Sequence, residues 1–286
     1  MKTYSKTPGN EELQNICCPI CSSKKEKHSL LYKYDAFCFN KCQMCGLVLQ
    51  NPQPVFKDIS NRYDKEYFDY EIKNEEAFFS LMFMALSDIG FDSLDFSGLP
   101  KKILDIGCAT GKFLYEFKNK GWDVAGIEIC KEAAEYGNNH RNVSIYNCTL
   151  EKAAFPEKSF SVIHASHLIE HLNDPVSFLK EVYRILHDKG FFIIVTPNID
   201  SFQNFIFKSG WRSAIPDHLF LYSLKTLEKI CSNNGFTIIK NGTWGGIPAG
   251  KAPGVIKKIF DNFAKKTGCG DVMVALFSKN IDASLY

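Results

Sequence analysis

The sequence predicts an α/β fold in which a seven-stranded sheet carries helices on both faces. The first observation is residues 102–112, where a short apolar run leads into a glycine-containing turn and then a helix. A strand as apolar as this one is typical of a parallel sheet that is buried on both faces. The second observation is residues 122–129, another buried strand, which ends in Glu128. The third is the alternation of strands and helices that continues to about residue 280.

Apolar periodicity predicts the other elements of this sheet in order along the chain. We expect helices over 112–120, 131–139, 175–186, 224–234 and 255–266, and further strands over 143–148, 162–165, 190–195, 236–239 and 272–277. Asp174 and Pro175 are a favourable N-cap and first residue for the third helix. Gly235 ends the fourth, as glycine commonly does.

The turn at 107–111 indicates a cofactor site at one edge of the sheet. Gly107 and Gly111 give the backbone freedom to approach a ligand, and the following helix points its free amides at the turn. The G-x-G-x-x-G pattern of dinucleotide sites is not met, since Ala109 and Lys112 occupy its later glycine positions. An acid at the end of the next strand can accept the hydroxyls of a ribose. Glu128 is placed for that contact.

Two runs resemble motifs of class I S-adenosylmethionine (SAM)-dependent methyltransferases. The first resembles motif I, with alanine at the middle glycine position: Asp105-x-Gly107-x-Ala109-x-Gly111. The second is similar to the motif after strand four in the ubiquinone-biosynthesis-like and methyltransferase-23-like family: Glu170-His171-Leu172-x-Asp174-Pro175. The resemblance spans about residues 100–280. It implies a Rossmann-like, seven-stranded class I methyltransferase sheet that uses SAM.

The resemblance also implies which residues contact the cofactor. They are Asp105, Gly107, Ala109, Gly111, Glu128, Ile129, Thr149, Leu150 and Ser166. The glycines would let the backbone approach the methionine part of SAM, and Ser166 would line the methyl side. Thr149 stands where the family usually has an acid, and Ser161 where it often has an aspartate.

Four residues expected near the cofactor edge of the sheet are candidates for catalysis: His167, Glu170, His171 and His218. A hydroxyl acceptor must lose a proton, and histidine is a suitable base near neutral pH. Alternatively, Glu170 and His171 order the loop, and His218 holds a backbone carbonyl. A third interpretation is a divalent metal site, since the set resembles that of small-RNA 3′-end 2′-O-methyltransferases. Those enzymes have glutamate where this chain has His167.

The N-terminal cysteines predict a zinc ribbon. Two C-x-x-C pairs, Cys18 with Cys21 and Cys42 with Cys45, are separated by twenty residues and provide the four thiolates of a tetrahedral structural site. Unligated or redox-active cysteines are the alternative. Cys17 and Cys38 are expected to be bystanders.

The sequence predicts four segments: a polar tail over 1–16, the zinc ribbon over 17–50, a linker with a helical lid over 51–98, and the methyltransferase domain over 99–286. In the third segment, aromatic residues at helical spacing over 74–89 indicate a helix that covers the cofactor or packs on the sheet. We expect no signal peptide and no membrane span, and a cytoplasmic location with reduced thiols.

The net charge of +2 argues against a protein that coats nucleic acid. The function expected is methyl transfer from SAM, with oxygen of a small-molecule, sugar or lipid-linked acceptor as the receiving atom. Two alternatives stay open: an RNA-modifying methyltransferase that grips RNA with its ribbon, and a binding module without catalysis. The oligomeric state is also open.

Overall fold

The computed structural model describes residues 11–246 and 254–280 of the 286-residue chain. Residues 1–10, the larger part of the predicted polar tail, lie outside the described residues, as do 247–253 and 281–286. In the described ranges no helix is both long enough and apolar enough to cross a membrane.

The elements follow in chain order. The strands are β1 Leu13–Gln14, β2 His28–Lys33, β3 Cys38–Cys42, β4 Val48–Gln50, β5 Gln53–Pro54, β6 Lys102–Ile106, β7 Asp123–Ile127, β8 Ser144–Tyr146, β9 Phe160–Ser166, β10 Leu186–Pro197, β11 Phe220–Leu221, β12 Phe236–Trp244 and β13 Val272–Lys279. The α-helices are α1 Phe56–Ser60, α2 Lys65–Ile89, α3 Lys112–Asn119, α4 Lys131–Arg141, α5 Leu150–Ala153, α6 Pro175–Ile185, α7 Phe202–Phe207, α8 Leu224–Ser232 and α9 Gly254–Thr267.

The main sheet has the predicted seven strands, in the order β12-β13-β10-β9-β6-β7-β8. Strands β6 to β10 are parallel, and β13 pairs antiparallel with both β10 and β12. β12 is longer than the predicted 236–239, because it pairs with β13 as far as Trp244. The sheet therefore confirms the α/β fold class, with β9 as its central strand and β6 beside it.

Helices cover both faces of this sheet, as the continuous apolar strands predict. Successive residues of β6 point to opposite faces, so Ile103 packs with α2, α3 and α4, whereas Leu104 packs with α6 and α8. Leu49 and Cys18 of the N-terminal segment belong to the same buried cluster as Leu104. The ribbon therefore packs on one face of the main sheet.

The N-terminal segment forms a four-stranded sheet in the order β11-β4-β3-β2. β2 and β3 form the hairpin expected of a ribbon, and β4 pairs antiparallel with β3. β11 comes from far along the chain and pairs with β4, with Phe220 opposite Leu49. The boundary of a ribbon at residue 50 stays a prediction, since its sheet is completed by β11, far along the chain.

Helix α2 begins nine residues before the predicted 74–89, at Lys65. The Asp64 side chain caps it by accepting hydrogen bonds from the amides of Glu66 and Tyr67, and Gly90 ends it with a left-handed φ of +69°. Its last turns are buried against the sheet through Ala85, Leu86 and Ile89.

We predict that Gly137→Ala destabilises the protein by about 1–3 kcal/mol, although alanine normally favours a helix by about 1 kcal/mol. An added Cβ would lie 2.9 Å from the carbonyl oxygen of Thr110 and 2.3 Å from Ile145 Cδ1. Chemical denaturation measures the effect. Asn139→Ala, on the exposed side of α4, is the control and should change stability little. A Gly137→Ala variant as stable as the wild type would contradict this packing.

Candidate active site

The turn between β6 and α3 is held in an unusual backbone conformation. Gly107, Ala109 and Gly111 have φ values of +74°, +45° and +73°. Ala109 thus adopts a left-handed conformation that glycine adopts more easily, at the position where motif I usually has its middle glycine. At Gly111 a Cβ would lie 2.8 Å from Ile145 Cδ1, so glycine is also required there for close packing.

The Glu128 carboxylate joins this turn to the end of β7. One oxygen accepts a hydrogen bond from the Ala109 amide at 2.9 Å, and the other accepts one from the Cys130 amide at 2.7 Å. Glu128 is only 3% exposed. Burial, with a smaller contribution from the charge of Asp105, raises its pKa to about 7.

Most of the other predicted cofactor residues lie at the same carboxyl edge. Asn147 Nδ2 donates to the carbonyls of Glu128 and Ile129, both at 2.9 Å, and so joins the ends of β7 and β8. Thr149 precedes α5, where Leu150 is buried, and Ser166 is the half-buried last residue of β9. These positions agree with a shared edge, and the contacts to SAM stay predictions.

Asp105, another predicted cofactor residue, pairs with a buried histidine of the neighbouring strand. Its Oδ1 lies 2.7 Å from Nδ1 of His164, a fully buried residue of β9. The His164 ring stacks on Phe113, with ring centroids 4.4 Å apart. The Asp105 carboxylate is therefore engaged in a buried pair between β6 and β9.

The first half of α2 lies over this edge and adds residues that the sequence analysis did not single out. Glu75 accepts hydrogen bonds from Thr110 Oγ1 at 2.9 Å and from Arg141 at 2.6 Å. Burial, followed by the charges of Glu128 and Glu75, raises the pKa of Glu71 to about 8. Burial, with the charges of Glu71 and Glu128, also raises the pKa of Tyr67 far above its ordinary value.

A signal for this surface was present in the sequence. Tyr63, Tyr67, Glu71 and Glu75 are spaced by four residues, which places them along one face of a helix. Phe79 and Phe83 continue this four-residue spacing, so the apolar residues of 74–89 extend the same face. A search for polar as well as apolar periodicity would have found these residues.

A second cluster lies beside the cofactor edge and contains three of the four predicted catalytic residues. Glu170, His171 and His218 each offer one ligand or base atom, and these atoms lie within 4.8 Å of one another. The rings of His171 and His218 meet edge to face, with centroids 4.7 Å apart. Glu170 and His171 follow β9, and His218 precedes β11.

The fourth predicted residue, His167, borders this cluster. Its Nδ1 lies 3.2 Å from Glu170 Oε1, and its side chain is 47% exposed. Burial alone would raise the pKa of Glu170, but the hydrogen bond from His167 and the nearby imidazoles lower it to about 2. Burial lowers the pKa of His218 to about 3. A carboxylate and a neutral imidazole are thus favoured here.

Tyr63 connects the two clusters. Burial and the charges of Asp217, Glu128 and Glu170 raise the pKa of its hydroxyl well above the usual range. Its ring centroid lies 6.4 Å from that of His171. The cofactor edge and the histidine cluster are therefore neighbours.

Comparison with known proteins now identifies the family. The family defined as "Methyltransferase domain" matches residues 82–241, which is more than half of the chain. The chain belongs to this methyltransferase family. Together with the seven-stranded sheet, the match identifies a class I SAM-dependent methyltransferase, as the two sequence motifs predicted.

Two curated relatives have similar sequences. "Uncharacterized methyltransferase YcgJ" of Bacillus subtilis is 26% identical over 179 residues, which cover 54% of this chain and 69% of that protein. "Ubiquinone biosynthesis O-methyltransferase" of Rhodopseudomonas palustris is 31% identical over 106 residues, covering 36% of this chain and 41% of that protein. The chain thus spans less than half of the second relative.

A solved structure supports the fold of this methyltransferase. The plantazolicin methyltransferase BpumL, in complex with SAH, superposes with a TM-score of 0.53 at 21% identity. The superposition covers 76% of this chain and 90% of that one.

The four ribbon cysteines come together in this methyltransferase as their spacing predicts. Cys18 Sγ lies 3.4 Å from Cys45 Sγ, and Cys21 Sγ lies 3.6 Å from Cys42 Sγ. All four sulfur atoms are within 4.8 Å of one another, which fits a tetrahedral zinc ion. Cys17 is exposed and stays outside this group, as does Cys38.

We predict that Glu71→Gln reduces the loss of stability as the pH rises from 5 to 8. The raised pKa values of Glu71 and Glu128 mean that the folded protein retains protons that the unfolded chain releases. Their stabilising contribution is therefore present at low pH and is lost as the pH rises through about 7 to 8. The difference in the free energy of unfolding between wild type and variant should change by on the order of 3 kcal/mol between pH 5 and pH 8.

Denaturant unfolding at several pH values measures this difference. Glu76→Gln is the matched control, because Glu76 lies on the same helix, α2, and its side chain is 74% exposed. If the Glu71 variant followed the same pH profile as the Glu76 variant, the buried carboxylate would not be the cause.

Proposed function

We propose that this methyltransferase transfers the methyl group of SAM to an oxygen atom of a small-molecule, sugar or lipid-linked acceptor. The observation that carries the proposal is the cluster of Glu170, His171 and His218 next to the cofactor edge. An alcohol or phenol needs a proton acceptor at this place, and imidazole is the usual one near neutral pH.

In the proposed cofactor site, Glu128 accepts the ribose hydroxyls, and the turn at 107–111 contacts the methionine part. Ile129, Thr149 and Leu150 border the adenine, and Ser166 lines the side from which the methyl leaves. The support is that these residues share one edge of the sheet, where parallel α/β sheets bind their ligands.

The proposed reaction is an in-line displacement at the methyl carbon. The acceptor oxygen forms the new C–O bond while the S–CH3 bond breaks, and its electron pair stays on sulfur, which leaves S-adenosylhomocysteine. The proton of the hydroxyl passes to the histidine cluster. Alignment of the acceptor oxygen with the methyl group supplies much of the acceleration.

The first half of α2 is proposed to act as the lid over the cofactor. Glu128 is buried beneath this region, and Glu75 of α2 accepts the hydrogen bond of Thr110 in the turn. The ribose could reach Glu128 only if this part of α2 moved outward. A lid that then closed would exclude water from the methyl transfer.

For the ribbon we propose a structural zinc ion bound by Cys18, Cys21, Cys42 and Cys45. The sulfur positions support it, and four thiolates leave no open coordination position for catalysis. Zinc would stabilise a segment that has a small core of its own.

Isothermal titration with SAM tests the cofactor site. Wild type should bind SAM, and Glu128→Ala should bind it about 10–100-fold more weakly, because it loses charge-assisted hydrogen bonds to the ribose. Glu135→Ala is the control, since Glu135 is an exposed residue of α4 whose carboxylate lies 3.7 Å from Lys131 Nζ. Equal affinity of all three proteins would argue against this role of Glu128.

The acceptor atom is tested with methyl-labelled SAM in a cell extract, followed by mass and fragmentation analysis of the product. An O-methylated compound is expected. Label on nitrogen or carbon, or recovered in RNA, would contradict the proposal, and an absence of SAM binding would indicate a module without catalysis.

Zinc is tested by metal analysis of the purified protein, where about one zinc per chain is expected. Cys45→Ser should lower the zinc content and the melting temperature, because tetrahedral coordination loses one thiolate. Cys17→Ser should change neither. A Cys45→Ser variant with full zinc content would refute the assignment.

A further inference from the structure

Arg62 lies in the short segment between α1 and α2, and its side chain is buried. Nε and Nη2 make three contacts with the Glu11 carboxylate at 2.6–3.1 Å. Nη1 donates to Asp217 Oδ1 at 2.6 Å and to the carbonyl oxygen of Pro216 at 3.1 Å. These five contacts match the five N–H groups of a guanidinium. Because the donor group is planar and rigid, it fixes the positions of its partners as well as balancing their charge.

The main chain of Asp217 orients His171. Its carbonyl oxygen lies 2.9 Å from His171 Nδ1. A carbonyl oxygen can only accept, so His171 carries its proton on Nδ1 and keeps a lone pair on Nε2. A general base needs such a lone pair in a fixed direction. The hydrogen bond from Nδ1 therefore sets both the tautomer and the orientation of the ring.

The position of Asp217 depends on Arg62. Gln50 holds the carbonyls on either side of Asp217, those of Pro216 at 2.9 Å and His218 at 2.7 Å. The Asp217 side chain accepts from Arg62 through Oδ1, and among the described residues its buried Oδ2 has no hydrogen-bond partner. A buried carboxylate that loses its cationic partner is strongly unfavourable. Without Arg62 we expect Asp217 to turn towards water and to move its carbonyl away from His171.

We propose that Arg62 is a positioning residue for methyl transfer: through Asp217 it holds His171 in the tautomer and orientation of a general base. All the N–H groups of Arg62 donate to the protein, so it acts through Asp217 rather than on the acceptor. The catalytic use of His171 rests on the proposed function, whereas the positioning of its ring does not. A displacement of about 1 Å near a reacting group can lower a rate on the order of 100-fold.

His218 is an internal reference, because a different carbonyl holds its ring. Nδ1 of His218 lies 2.8 Å from the carbonyl oxygen of Ser213, which is not a partner of Arg62. His218 should therefore keep its Nδ1 proton when Arg62 is replaced. A change confined to His171 would indicate loss of positioning, and a change in both rings would indicate general loosening.

NMR of the full-length, zinc-loaded protein with 15N-labelled histidine tests the proposal, since long-range 15N–1H spectra show which ring nitrogen carries the proton. In wild type, both His171 and His218 should carry it on Nδ1. Arg62→Lys keeps the charge but loses the planar fork. In this variant His171 should exchange between both tautomers, and His218 should stay unchanged. His171→Gln and His218→Gln variants assign the signals.

Variants of Asp217 test the path from Arg62 to His171. Asp217→Ala removes the acceptor and should change the His171 tautomer as Arg62→Lys does. Asp217→Asn keeps an oxygen that can accept from Arg62, so His171 should retain its Nδ1 proton. Combining Arg62→Lys with Asp217→Ala should add no further change, because both substitutions break the same connection.

Arg184→Lys is the matched control. Arg184 also binds one carboxylate through two nitrogens, that of Glu181 at 2.8 and 2.6 Å, and donates to the Phe155 carbonyl at 2.6 Å. The control variant should leave His171 as in wild type. The proposal is overturned if His171 keeps its Nδ1 proton in Arg62→Lys and Asp217→Ala, or if His171 and His218 lose it together.

Rates of methyl transfer separate this proposal from the proposed function. They are measured with methyl-labelled SAM and a cell extract as the source of acceptor. Arg62→Lys should lower the rate at least about 10-fold and leave the affinity for SAM within about twofold. An unchanged rate, in a variant whose His171 has changed tautomer, would overturn the catalytic use of Arg62 and leave the proposed function standing. If wild type transferred no methyl group, the proposed function would fail, and the His171 tautomer alone would decide the positioning.

Discussion

Parallel pairing of five strands is the constraint on which the site depends. Because β6, β7, β8, β9 and β10 run in the same direction, the segments that follow them meet at one edge of the sheet. Residues distant in sequence thus become neighbours without a long connection. Three features of the site reach this edge simply because each follows a strand: the Gly107–Gly111 turn, Glu128 and Glu170. The order and direction of the strands therefore determine which side chains meet at the site.

The sequence predicted this edge well, since it depends on local patterns. Apolar runs identified the strands, and the position of Glu128 after one of them was enough to place its side chain beside the turn. The pairing of Asp105 with His164 was not predictable in the same way. It depends on the lateral register of β6 and β9, which no local pattern specifies. Cross-strand register comes from packing of the whole sheet.

The first half of α2, which lies over the cofactor edge, shows a second limit of sequence analysis. The apolar residues of α2 were recognised, but Glu71 and Glu75, which precede them on the same face, were not, because exposed and covering polar residues look alike in a sequence. A group of ion pairs was also not predictable, because its residues lie far apart in the sequence. Glu11, Arg62 and Asp217 form one buried ion cluster, although some 150 residues separate the last two. The four cysteines were predictable because a metal restricts their spacing directly.

The pairing of β11 with β4 connects the ribbon to the candidate active site. Gln50, the last residue of β4, donates through its side chain to the carbonyls of Pro216 and His218, and its amide donates to that of Leu219. The ribbon thus packs against the loop that carries His218 and donates hydrogen bonds to its carbonyls. Oxidation of the four cysteines, or loss of the zinc ion proposed there, would therefore be expected to loosen the loop that carries His218. The ribbon and the main sheet also share one buried apolar cluster, so we expect a change in one to alter the stability of the other.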